Sequence, residues 1–122
     1  IAIVCIGMND ITDGKSVENW MRDIIKLHKI IIKKYDISEI IFSGIPPVRK
    51  LTQVPQPLLH LLSLKADIFG KALQKFCENN EECCFIDIDL PVSSQTMAID
   101  GFHPNEVFYS AWAKRISKSI IK

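Results

Sequence analysis

Ile1-Ala2-Ile3-Val4-Cys5-Ile6-Gly7-Met8-Asn9-Asp10 opens the chain and decides its fold. Six apolar residues in a row, without alternation, read as a strand buried on both faces, the kind that parallel sheets contain. Gly7 ends the run. Two more short apolar runs follow, Glu39 to Ser43 (with Ile40, Ile41 and Phe42) and Cys83 to Ile88. Between them the pattern changes to a helical period. Val17, Trp20, Met21, Ile24, His28, Ile31 and Ile32 share one stripe, with Ser16 as N-cap after a turn at Asp13-Gly14. Gly44, Pro46 and Pro47 open a loop that runs to Pro57. A second helix spans Leu58 to Cys77, with Leu62, Ala66, Phe69, Leu73 and Phe76 on one face, and Asn79-Asn80 stops it. Pro104 opens a last helix carrying Phe108, Ala111, Trp112, Ile116 and Ile120 in step.

The order is βαβαβα. Strands joined by helical crossovers run parallel. The expected architecture is α/β, a three-layer sandwich with a parallel sheet between helix layers. Functional groups in such sheets collect beyond the carboxyl ends of the strands. Asn9 and Asp10 follow the first strand, Pro46-Pro47 the second, and Asp87 lies near the end of the third. The Asp100–His103 loop leads into the last helix on the same edge. The whole chain, 1–122, reads as a single domain without repeats or low-complexity segments.

Composition narrows the function. The 122 residues carry a net charge of +1, so they present no electrostatic footprint for nucleic acid. The apolar runs are too short to span a bilayer. Cys5, Cys77, Cys83 and Cys84 are not spaced as a zinc site requires, and they read as free thiols. That usage leans toward a reducing compartment such as the cytoplasm. The chain starts at Ile1 inside an apolar strand, so a further N-terminal segment is expected.

The chemistry lies in Asp100-Gly101-Phe102-His103-Pro104. An Asp three residues before a His can aim the imidazole and bias its protonation, as a hydrolase requires of its general base. The alternative is a polar turn before a helix. Placed with Gly7-Met8-Asn9-Asp10 on one sheet edge, the pair favours a site. Elsewhere plainer readings prevail. His28 is a half-buried structural histidine and His60 a surface one. Lys26, Lys29, Lys33 and Lys34 form a solvated helix face, and Trp20 and Trp112 belong to the core. Asp87 ties down a strand-end loop.

Gly-x-Asn-Asp after a buried strand, followed far downstream by Asp-x-x-His-Pro, resembles the SGNH hydrolases, also called GDSL-type esterases and lipases. Gly44-Ile45-Pro46-Pro47 and Phe85-Ile86-Asp87 look like the same family in less specific places. The resemblance runs over the whole chain but covers only the latter part of such an enzyme. It implies a flavodoxin-like sheet of which strands three to five are present. It implies His103 as general base, Asp100 as the carboxylate that orients it, and Asn9 as a side-chain donor to the developing oxyanion. Gly7 would serve backbone geometry, and Asp10 would hydrogen-bond local amides. Met8, Phe102 and the Pro46–Pro57 loop would line an acyl pocket. The family's Gly-Asp-Ser nucleophile segment and its further oxyanion glycine are missing; none of the chain's serines follows a Gly-Asp pair behind a strand.

The implied activity is hydrolysis of an ester or thioester by acyl transfer, on a small-molecule ester and without a cofactor. The chain alone is expected to be inactive. Two other classes stay open. Asp10, Asp87, Asp100 and His103 on one edge suit a metal-dependent phosphoesterase-like hydrolase. A non-catalytic binding remnant of the fold is the other. An uncovered Ile1–Ile6 edge strand also predicts pairing with a second copy or with the N-terminal segment.

Overall fold

The computed structural model of the chain describes residues 1–51, 54–90 and 105–120. Within these residues three parallel strands, β1 (Ala2–Val4), β2 (Ile40–Ser43) and β3 (Cys83–Ile86), stand in the order β1-β2-β3. Among the described residues four α-helices accompany them: α1 (Met8–Thr12), α2 (Val17–Tyr35), α3 (Leu58–Glu78) and α4 (Glu106–Ile120). A 3-10 turn, Val48–Lys50, interrupts the proline-rich loop.

The register explains the layers. Ala2 and Val4 pair with Ile40 and Phe42, which pair with Cys83 and Phe85. Side chains alternate across a strand, so these residues share one face. That face packs with Ile11, Trp20, Ile24, Phe69, Leu73 and Cys77 from α1, α2 and α3. Trp20 stacks on Phe69 with ring centroids 4.7 Å apart. The other face presents Ile41 and Ile86, and there Ile116 and Trp112 of α4 cover it. The result is the expected three-layer α/β sandwich.

Local signals set the element ends. Ser16 Oγ accepts from the Asn19 amide at 3.2 Å, which satisfies one orphan donor of α2. Asn79 caps α3. Asn105 Oδ1 accepts from the Val107 amide at 2.9 Å and the Phe108 amide at 3.2 Å, so a side-chain cap also starts α4. Pro104, expected to open that helix, lies outside the described residues.

Three expectations change. The first strand is not buried on both faces: Ile3 is 48% exposed although it stands in register with Ile41, which is 1% exposed. α4 lies over β2 and β3, and among the described residues nothing covers the same face of β1. Cys5, inside the run read as a buried strand, is exposed beyond the end of β1. The third strand stops at Ile86, with Ile88 buried beyond it.

Candidate active site

Gly7 has φ 126°, a conformation that side chains rarely adopt. A Cβ there would lie 3.1 Å from Trp20 Cζ2 and 3.2 Å from Ile45 Cγ1. Only glycine lets the chain leave β1 this close to the core and turn directly into α1. Asn9, which the sequence places just after the first strand, therefore stands on the first turn of a five-residue helix. It is exposed, and its side chain has no hydrogen-bond partner among the described residues.

α1 is held from below and beside. The Asp13 amide donates to Asn9 O at 2.8 Å, and Thr12 Oγ1 donates to the same oxygen at 3.1 Å. Lys65 of α3 donates from Nζ to Ile11 O at 3.0 Å. A helix this short has little stability of its own, so these contacts fix where Asn9 points from. The Lys65 contact spans 54 residues, and nothing in the local sequence announces it.

Asn9 and Met8 line one cleft of about 640 Å³ with Cys5, Gly44, Tyr109 and Trp112. Half-buried Met8 also packs into an apolar cluster formed by Val48, Leu51, Leu59 and Phe108. The cleft lies beyond the carboxyl ends of β1 and β2, as the topology requires. Its far wall is α4. Trp112 Nε1 donates to Ser43 Oγ at 2.6 Å, which ties that wall to the end of β2. Asp100, Phe102 and His103 lie outside the described residues.

Cys5 in the cleft and Ser43, which the cleft residue Trp112 contacts, invite a nucleophile assignment and neither suits it. Ser43 is buried, and its hydroxyl accepts from Trp112 and donates to Gly44 O at 3.3 Å. Partial burial pushes the Cys5 thiol above its ordinary range, with the Ser43 hydroxyl pulling it back. A thiol so raised is not a thiolate at neutral pH.

The acidic residues separate. Asp10 lines the Asn9 cleft, but its carboxylate stands 3.7 Å from Lys15 Nζ rather than on backbone amides. Its main-chain carbonyl shapes the loop, accepting from the Lys15 amide at 3.1 Å. Lys15 also pairs with Asp23, whose carboxylate raises the ammonium above its usual range. Asp87 lines a different cleft of about 700 Å³, beside Asp67, Asp89 and Arg115. It is exposed and ties down no loop through a side-chain bond among the described residues. Asp10 and Asp87 thus do not converge on a metal position. His28 and His60 are where plain readings put them, half-buried on α2 and exposed on α3. Among the described residues no helix is long and apolar enough to cross a membrane.

Over residues 1–116 the chain matches the sequence pattern of GDSL-like lipases/acylhydrolases. No curated protein matches it. Its fold is similar to a solved structure of a Streptococcus pneumonia protein provisionally called a platelet activating factor, with a TM-score of 0.77 at 19% identity. The likeness covers 98% of this chain and 59% of that one, so the chain spans less than two thirds of that protein's length.

Proposed function

The chain belongs to the GDSL-like lipase/acylhydrolase family, and on that premise we propose that it supplies part of a serine-esterase site cleaving ester or thioester bonds by acyl transfer. His103 takes the proton from a serine hydroxyl and returns it to the leaving group. Asp100 holds the second imidazole nitrogen and stabilises the imidazolium as it forms. Asn9 donates its side-chain amide to the oxyanion. The serine itself comes from outside these residues, because no serine of the chain follows a Gly-Asp pair. The chain is then the C-terminal portion of the catalytic domain.

The observation that carries this reading is the cleft. An exposed amide donor on α1 faces a wall made by α4, the helix into which Asp100 and His103 lead. Met8 and, across the cleft, Tyr109 and Trp112 offer apolar surface for an acyl group. Phe102 joins them in the same proposal. The outer edge of β1, with Ile1, Ile3 and Ile6 exposed, suits a further strand or a second copy of the chain.

The test uses a longer protein that contains a Gly-Asp-Ser segment ahead of this chain, with p-nitrophenyl acetate as substrate. His103→Ala should lower kcat by about 100- to 10,000-fold. Asn9→Ala should lower it by roughly 100- to 1,000-fold with KM nearly unchanged. Equal rates in wild type and His103→Ala would end the base assignment. The chain alone should show no turnover; measurable turnover would place the nucleophile within it.

A further inference from the structure

The amino ends of the strands carry a cluster that the cleft does not use. His28 of α2 reaches Glu82, with Nε2 2.5 Å from Oε1. Cys83, the next residue, opens β3. One ligating atom from each lies within 4.8 Å of the others, a grouping unique among the described residues. The pair His28–Glu82 alone would satisfy an imidazole. It does not explain a thiol brought to the same point.

The backbones under these side chains are fixed independently. Glu82 O accepts from the Ile40 amide at 2.8 Å, and the Cys83 amide donates to Asn80 O at 2.9 Å. Asn80 Nδ2 donates to Phe76 O at 2.7 Å, which locks the turn onto the end of α3. The His28 ring meets Phe76 edge-on with centroids 5.3 Å apart. Closing around an ion therefore needs side-chain rotation alone, on a rigid support.

We propose that His28, Glu82 and Cys83 form a three-ligand site for a thiophilic divalent ion of the zinc class, with water as the fourth ligand. Zinc takes nitrogen, oxygen and sulfur tetrahedrally at about 2.0–2.3 Å, so neighbouring ligand atoms stand roughly 3.3–3.8 Å apart. The 2.5 Å contact opens by roughly 1 Å to reach that spacing, and no other separation in the group exceeds 4.8 Å. On binding, the Cys83 thiol loses its proton to solvent and the sulfur takes the metal. A neutral His28 gives its Nε2 lone pair and keeps its proton on Nδ1. Thiolate and imidazole exclude magnesium and calcium. His28 and Glu82 are only half-buried, so the ion has a path from solvent. The site ties α2 to β3 at the end of the sheet opposite the Asn9 cleft, and its water-held fourth position stays open to exchange.

The experiment titrates cobalt(II) into the isolated chain. One equivalent should bring a thiolate-to-cobalt charge-transfer band and the visible bands of a tetrahedral ion. Zinc should remove both and raise Tm, whereas magnesium should do neither. Cys83→Ser should abolish the charge-transfer band, and Cys84→Ser and Cys77→Ser should keep it. Glu82→Gln covers the case in which Cys83→Ser does not fold. It should weaken cobalt binding by more than the roughly 10- to 100-fold that an outer contact costs. A folded chain without the band, a band that survives Cys83→Ser, or equal affinity in Glu82→Gln overturns the site.

Discussion

β1 and β2 are both built on short apolar runs and live in different surroundings. Both belong to unbroken apolar runs, and they pair in register from Ala2↔Ile40 to Val4↔Phe42. Every residue of β2 is buried. In β1 only Val4 is, while Ile3 faces out. β2 is central, with a strand on either side and helices above and below. β1 has one strand neighbour and one helix layer among the described residues. Apolar character makes a segment able to be buried; its neighbours decide whether it is.

That contrast can be broken. Phe42→Ala, at the centre of β2, should cost about 3–5 kcal/mol by loss of transfer energy and the cavity left behind. Denaturant unfolding measures it, and a cost below 1 kcal/mol would mean that β2 is not the core strand. Gly7→Ala probes the one point where β1's continuation presses on the core. The positive φ and the contacts with Trp20 and Ile45 should make it cost about 1–3 kcal/mol. A stabilising Gly7→Ala would show that the backbone there is not constrained.

Trp112→Phe sharpens the contrast from the other side. It removes the donor to Ser43 while keeping an aromatic ring over β2. The lost bond at a buried hydroxyl should cost about 1 kcal/mol, with Tm as the readout; an unchanged Tm would detach α4 from the burial of β2. The smallest effect belongs to Ile3→Thr, within about 0.5 kcal/mol for a surface position. A loss comparable to that of Phe42→Ala would show that β1 is covered in solution. Sedimentation of both proteins then tells whether a second copy is the cover.

Much of the fold was legible because the two periods differ so plainly. Continuous apolar runs marked the strands, and the stripe through Trp20, Ile24 and Ile31 marked α2. Ser16 and Asn79 fell where a cap and a stop belong. α1 was illegible because five residues are too few to display a 3.6 period. Asn9 could be placed at a strand end, but not on a helix. Asp10 gave no local hint that Lys15 would be its partner. The separation of Asp10 from Asp87 was likewise hidden, since both follow strands yet line different clefts.

The sequence by itself determined the parallel α/β sandwich, the glycine turn after β1 and the family, because each rests on residue type and short-range spacing. The tertiary structure alone decided that β1 is half bare, that Lys65 supports α1, and that His28, Glu82 and Cys83 meet. Those outcomes depend on contacts spanning up to 54 residues, and no local pattern encodes which distant side chain the folded chain will bring within reach.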